Sequence, residues 1–361
     1  MKILFVDLER EWRGGQSQAL LTVTGLRARG HDAQLLAVGG SPLAQRAEAA
    51  GVPVHVVGPR ARRIVAAYRL RRLLTKQEYD LIHVNEPHAL TAAWLGRAQT
   101  MVPVIASRRV AYPLKQNLLA LKRYLAATRI LAISRFVEKS LLSSGISAKN
   151  VAVIHEGVEV PPLAAEDARA RARKRWGIET DQLLVGCVGY LLPEKGQEYI
   201  VRAFSTVRAK FPGARLLLAG DGPCRRMLES LARNYGLQDA IIFAGFVEDI
   251  KQVYAALDVF VFPSLAEPLG TSLLAAMAWG LPVAAVASGG VPEYVQDDVT
   301  GLLVAQPEPN LFSAAILRML SDESLRARLG SQARRKIEEG FSARRMVDAT
   351  IQVYGDVCGR K

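Results

Sequence analysis

The sequence predicts an α/β protein of two doubly wound domains, each a parallel sheet with helices on both faces. Three observations carry the prediction. Short apolar strands alternate with helical segments twice along the chain. A break at Glu159-Val-Pro-Pro-Leu163, whose paired prolines disfavour both helix and central strand, separates the two series. The 361 residues also exceed the usual size of one domain, and two domains of roughly 150 to 200 residues would each bury a core.

The first series reads as strands at Ile3 to Val6, Ala33 to Leu36, Val54 to Val57, Leu81 to Val84, Val104 to Ala106, Ile130 to Ile133 and Val151 to Ile154. Pro53 and Pro103 stand just before two of these runs, where a missing N–H harms a sheet least. The second series reads as Leu183 to Val188, Arg215 to Ala219, Ala240 to Phe243, Val259 to Phe262 and Val283 to Val286. The expected divisions are therefore residues 1–163 and 164–340. A final helix from about Ser342 to Val357 within 341–361 is expected to cross back to the first domain. Open sheets of this kind bind ligands at the carboxyl ends of their strands, so the turns at those ends are the candidate sites.

Half the residues are apolar, which excludes a disordered chain. No apolar run reaches about 18 residues, and Met1-Lys-Ile-Leu-Phe-Val-Asp7 turns acidic too early for a signal peptide, so a cytoplasmic protein is expected. Cys187, Cys224 and Cys358 are far apart and lack metal-ligand spacing, which argues against disulfides or zinc. The net charge of +13 is concentrated in the first half: residues 1–160 hold 23 of the 47 Lys and Arg but 11 of the 34 Asp and Glu. Its densest segment runs from Arg60 to Leu74. There Ile64, Val65, Tyr68 and Leu73 are expected to share a helical face beside Arg62, Arg63, Arg69, Arg71 and Arg72. A second cluster holds Arg108, Arg109, Lys115, Lys122 and Arg123. Such stretches suit an anionic membrane surface or a solvated helix face. No nucleic-acid motif accompanies the charge, so nucleic acid is not an expected partner.

Several turns carry chemistry. Gly14 and Gly15 follow the first strand and precede a helix, which permits close approach of a ligand. Lys195 lies just beyond a strand where a helix begins, an unfavourable place for a cation unless it meets a phosphate. The run Leu218-Ala-Gly-Asp-Gly-Pro223 ends another strand, with Asp221 expected to cap the next helix. Phe246 and Val247 follow at the same edge, where a ring and main-chain groups suit a nucleobase. In Pro263-Ser-Leu-Ala-Glu-Pro-Leu-Gly-Thr-Ser272, Glu267 sits in a turn and Thr271 or Ser272 is expected to cap a helix. The free N–H groups of such a helix start suit a phosphate, and the upstream carboxylate suits adjacent hydroxyls. Gly289 and Gly290 close the series with a turn.

In order, these pieces resemble the retaining, nucleotide-sugar-dependent glycosyltransferases of family 4, which have the GT-B fold of two Rossmann-like domains around an interdomain cleft. The resemblance rests on Gly14-Gly15, Asp80-Leu-Ile-His83, Ala132-Ile-Ser134, Val153-Ile-His-Glu-Gly157, Pro193-Glu-Lys-Gly196, Ala219-Gly-Asp-Gly-Pro223 and Glu267 through Gly290. It implies that Lys195 and the backbone around Leu269, Gly270 and Thr271 hold the donor diphosphate. Glu267 would contact donor sugar hydroxyls, and Gly14 and Gly15 would lie beside phosphate and acceptor. No cofactor beyond a UDP- or GDP-sugar substrate is implied, and no D-x-D segment offers a metal site. Two positions depart from the family: Ala275 stands where a second glutamate is usual, and Tyr190 where an arginine usually assists the lysine. Arg108 and Arg109 are candidate replacements, and His83 and His88 are candidates for a family histidine that contacts the sugar. The expected activity is sugar transfer to a glycan or lipid-linked glycan acceptor in lipopolysaccharide or polysaccharide assembly, at the inner face of a membrane. The alternatives are a nucleotide-sugar 2-epimerase and a catalytically silent sugar-nucleotide-binding protein.

Overall fold

The computed structural model describes residues 1–60, 62–114, 117–162 and 166–359. Lys115 of the second basic cluster, and Leu163 and Ala164 at the expected domain boundary, lie outside these. The chain forms two compact bodies: Met1–Gly157 together with the segment from Ala343 onward, and Val158–Ser342.

The first body is built on seven parallel strands: β1 Lys2–Asp7, β2 Asp32–Val38, β3 Val54–Val57, β4 Leu81–Val84, β5 Val104–Arg108, β6 Arg129–Ala132 and β7 Val151–Val153. Their order is β3-β2-β1-β4-β5-β6-β7, so successive connections reverse direction between β1 and β4. Strands β1, β4 and β5 are almost wholly buried, as continuous apolar runs in a parallel sheet should be. Phe5, Leu35, Leu81 and Ile105 form the core with Val23 and Leu26 of helix Gly14–Arg27, and with Met346, Val347 and Tyr354 of helix Ala343–Val357. That last helix belongs to the first body although the whole second body precedes it in the chain.

Helix Arg62–Lys76 corrects one expectation. Its buried stripe is Ala66, Ala67, Leu70 and Leu73, while Ile64, Val65 and Tyr68 point outward. The cause is close approach: a Cβ on Gly96 would lie 2.8 Å from the Ala67 carbonyl oxygen, so only small side chains fit between these backbones.

The second body has six parallel strands: β8 Leu184–Val188, β9 Arg215–Ala219, β10 Ile241–Gly245, β11 Val259–Phe262, β12 Val283–Val286 and β13 Leu302–Val304. The order is β10-β9-β8-β11-β12-β13, and direction reverses between β8 and β11. The sequence reading missed β13, which has three residues and pairs only with β12. Val185, Phe204, Leu216, Val259 and Ile316 anchor the core.

Candidate active site

In the second body, three turns leave the carboxyl ends of the neighbouring strands β8, β11 and β12. The β8 turn passes through a short 3-10 segment, Pro193–Lys195, before helix Gln197–Lys210. The β11 turn carries Glu267 and ends at Gly270, whose positive φ makes it the N-cap of helix Thr271–Ala278. The capping expectation is thus corrected. Thr271 is the first helical residue, and no side chain caps the start. Asp221 likewise does not cap helix Arg225–Asn234; its carboxylate accepts from the Gly222 N–H.

Because β8 and β11 are neighbours at the direction switch, their turns meet. Lys195 Nζ donates to Glu267 Oε2 at 2.7 Å, and Ser264 Oγ donates to the same oxygen at 2.9 Å. Lys195 is thus paired across the turns, and not to Glu194 or Glu198 of its own segment. Glu267 is buried while Lys195 remains partly exposed. Together they present an ammonium and a carboxylate beside a helix start. A recess of about 30 Å³ runs beneath, lined by Cys187, Gly189, Lys195, Gln197, Ser264 and Ser272. Burial pushes the Cys187 thiol up to about 12, which keeps it protonated and out of nucleophilic chemistry.

The β12 turn holds the Glu267 turn in place. Gly290 N–H donates to the Glu267 carbonyl at 3.0 Å, and Ser288 Oγ donates to the Ser264 carbonyl at 2.7 Å. Gly289 lies so close that a Cβ there would sit 1.8 Å from the Glu267 carbonyl oxygen. Leu269 is fully buried, so only its backbone is available to a ligand, and that carbonyl accepts from Tyr294. Tyr190 and Phe246 are exposed and Val247 is half-buried, on the loops leaving β8 and β10. Ala275 lies on the partly exposed stripe of helix Thr271–Ala278, with no carboxylate in that position.

In the first body the candidates gather where β1, β4 and β5 end. Gly14 and Gly15 open helix Gly14–Arg27 directly. Arg109 packs on this turn, its Cδ 3.6 Å from where a Cβ of Gly15 would lie. Its Nε donates to Glu156 Oε1 at 2.7 Å, and its Nη1 donates to the Asn85 carbonyl at 2.7 Å and to Asn85 Oδ1 at 2.6 Å. Asn85 Nδ2 in turn donates to Asp7 Oδ2 at 2.6 Å and to the Gly15 carbonyl at 3.1 Å. Asp7 is wholly buried, and desolvation raises its pKa although Glu9 N–H, Asn85 and Gln16 donate to it. The sequence reading named Arg109 as a candidate but not Asp7 or Asn85, and it held Glu156 only within the motif Val153-Ile-His-Glu-Gly157, with no role of its own. Asp7 and Asn85 are single polar residues at strand ends, and that position was their signal.

Two other expectations are corrected here. Arg108 is buried, donating to the Tyr112 carbonyl and lying 5.3 Å over the Tyr124 ring, so it anchors the loop after β5 and does not face a ligand. His83 is a core residue. Both ring nitrogens are engaged, by Tyr354 and by Ser107 Oγ at 2.7 Å, and burial drives its pKa down to about 3. His88 is partly exposed and lies 3.5 Å from Glu9. Glu9, Glu86 and His88 bring ligand-type atoms within 4.8 Å of one another. The Glu86 carboxylate, however, already accepts the N–H groups of Leu8, His88 and Ala89, and Arg62 and Arg63 repel a cation there.

The model of the family described as Glycosyltransferase Family 4 matches residues 12–160, and that described as Glycosyl transferases group 1 matches residues 168–336. The chain belongs to glycosyltransferase family 4. Among the curated relatives of this family 4 member is a GDP-mannose-dependent alpha-(1-6)-phosphatidylinositol monomannoside mannosyltransferase of Mycolicibacterium smegmatis. It is 29% identical over 297 residues, which cover 79% of this chain and 69% of the relative. The lipopolysaccharide core biosynthesis glycosyltransferase LpsE of Rhizobium meliloti is 33% identical over 181 residues, 50% of this chain and 52% of the relative. The matched stretch thus spans about half of the second relative's length. Among solved structures, Anabaena Alr3699/HepE in complex with UDP and glucose superposes with a TM-score of 0.85 at 22% identity. The match covers 98% of this chain and 99% of that one. This likeness shows the fold of the family 4 chain, GT-B.

Proposed function

We propose that this protein is a hexosyltransferase that moves a sugar, with retention and without a metal, from a UDP- or GDP-sugar to a glycan or lipid-linked glycan acceptor. The carrying observation is the pairing of Lys195 with Glu267 at the switch point of the second sheet, beside the start of helix Thr271–Ala278. In this reading the Lys195 ammonium and the first-turn N–H groups take the donor diphosphate and stabilise the charge that builds as the glycosidic bond breaks. Glu267, released from Lys195 by the phosphate, accepts from the sugar hydroxyls. The UDP of the Anabaena complex and the GDP-mannose of the mycobacterial relative support a nucleotide diphosphate sugar as donor, with the base open between them. The phosphatidylinositol-linked and lipopolysaccharide substrates in the relatives' names support a lipid-linked acceptor in cell-surface glycan assembly. No helix among the described residues is long and apolar enough to cross a membrane, which suits a peripheral enzyme on an inner membrane face.

Thermal unfolding against a panel of UDP, GDP, ADP, TDP and CMP sugars tests the donor. A ligand at 100 times its Kd adds about 2.7 kcal/mol of stability. Selective stabilisation by one nucleotide, followed by release of that nucleoside diphosphate only when a glycan acceptor is added, is expected. Turnover of the donor without acceptor would instead mark a 2-epimerase. Stabilisation without turnover, whether or not acceptor is added, would mark a silent sugar-nucleotide-binding protein, the reading that Tyr190 and Ala275 favour, and absence of any shift would overturn the donor reading.

A further inference from the structure

Helices Arg62–Lys76, Pro87–Leu95 and Leu118–Leu125 form one layer on a single face of the first sheet. The first packs on the second and the second on the third, where Arg123 Nη1 of the third donates to Thr91 Oγ1 at 2.8 Å. The outer surface of this layer is apolar where a solvated surface would be polar. Ile64 is 69% exposed, Tyr68 69%, Leu118 71% and Leu119 53%, and Tyr112 in the intervening loop is 73% exposed. These residues are not core residues left uncovered, because the inward positions of helix Arg62–Lys76 are filled by Ala66, Ala67, Leu70 and Leu73. Large apolar side chains have thus been placed outward in addition to those that fill the inward stripe.

The charge around them has one sign. No Asp or Glu occurs between Glu48 and Glu78, nor between Glu86 and Glu138, so neither helix carries a carboxylate. Arg63, Arg69, Arg72 and Lys122 are exposed beside the apolar residues, and the positive charge of Arg63 reaches both His88 and Arg123. Apolar side chains ringed by cations match the layering of an anionic bilayer, with acyl chains below and phosphates at the level of the guanidinium groups. Nucleic acid would match the cations but leave Ile64, Leu118 and Leu119 with nothing apolar to cover them.

We propose that the outward faces of helices Arg62–Lys76 and Leu118–Leu125, with Tyr112 of the loop that precedes the second, dock on an anionic phospholipid bilayer. This deepens the reading of a lipid-linked acceptor and rests on it for its purpose. Helix Arg62–Lys76 begins at the carboxyl end of the sheet, where Arg62 Nη1 donates to the Leu8 carbonyl just beyond β1 at 2.9 Å, the end where Gly15, Asn85 and Arg109 meet. A protein seated on these helices therefore holds that end at headgroup level, where a lipid-carried sugar would be presented.

The test is sedimentation of the full-length chain with vesicles of phosphatidylcholine alone and of phosphatidylcholine containing phosphatidylglycerol. Binding to the anionic vesicles, weakened by salt, is expected. Ile64→Ser with Leu118→Ser should weaken it about tenfold or more, by removing two inserted side chains. Arg63→Gln with Lys122→Gln should weaken it roughly fivefold per charge while leaving the apolar residues in place. The second pair carries the test if the first changes the melting temperature. Equal binding to neutral vesicles, absence of binding, or insensitivity to both pairs would overturn the proposal. Tighter binding to duplex RNA, abolished by the same substitutions, would overturn it in favour of nucleic acid. Because lipid is the readout, vesicle binding without sugar transfer would refute the enzyme reading alone, and transfer without vesicle binding would refute the docking surface alone.

Discussion

Replacing Gly289 with alanine should disable the protein from 22 residues away in sequence. Gly289 has φ +57°, so a Cβ there carries a left-handed penalty of about 1 to 2 kcal/mol. The larger effect is steric. The new Cβ would lie 1.8 Å from the Glu267 carbonyl oxygen and 2.8 Å from its carbonyl carbon, so one of the two turns must move by about 1 Å or more. These are backbone atoms and cannot rotate away. The shift would also break the bond from Gly290 N–H to the Glu267 carbonyl and displace the carboxylate from Lys195 and Ser264. Misplacement by about 1 Å costs on the order of a hundredfold in a positioned reaction. The assay is kcat/KM for sugar transfer together with the melting temperature. Gly213→Ala serves as control, because a Cβ there meets nothing within 4 Å. A Gly289→Ala protein with unchanged melting temperature and transfer within about twofold of the original would refute the claim that the β12 turn sets the position of Glu267.

Three further predictions follow from the same geometry. Glu267→Gln keeps an acceptor for Ser264 but removes the charge opposite Lys195. Transfer should fall by about 1.5 to 3 kcal/mol in kcat/KM with the fold retained, and an unchanged rate would remove Glu267 from the site. Tyr190→Arg places a guanidinium beside Lys195 at the end of β8 and should lower the donor KM by about tenfold; a donor KM that does not move would take position 190 out of the donor site. Burial and the nearby Asp7 raise the Glu86 pKa from 4.5 to about 7, although three backbone N–H groups oppose the shift. The unfolded carboxyl releases its proton first, so this contribution to stability is complete below about pH 4.5. It is lost as the pH rises through about 7, by some 3 kcal/mol in all. Denaturant unfolding across that window should show the loss in the native chain and its absence in Glu86→Gln. The same slope in both would show that other groups set it.

The sequence by itself determined the two-sheet architecture and twelve of the thirteen strands among the described residues, because buried parallel strands must be nearly continuous apolar runs and their turns must carry glycine, proline or polar residues. It also singled out Lys195, Glu267 and Gly289, since each stands at a strand end where its residue type has a local reason to be. What it did not contain was proximity. Lys195 and Glu267 are 72 residues apart, and they touch because β8 and β11 are neighbours, a matter of strand order that no local pattern encodes. The same holds for Arg109, which meets Asn85 from β4 and Glu156 beyond β7, and for His83, whose place in the core depends on Tyr354 arriving 271 residues later. Helix Arg62–Lys76 shows the limit from the other side. Its hydrophobic pattern permits two faces, and the narrow gap beside Gly96 decided that the alanines would face in and Ile64 and Tyr68 out. Local propensity and periodicity are properties of adjacent residues, whereas pairing and packing are properties of strand order and inter-backbone distance, which only the tertiary structure supplies.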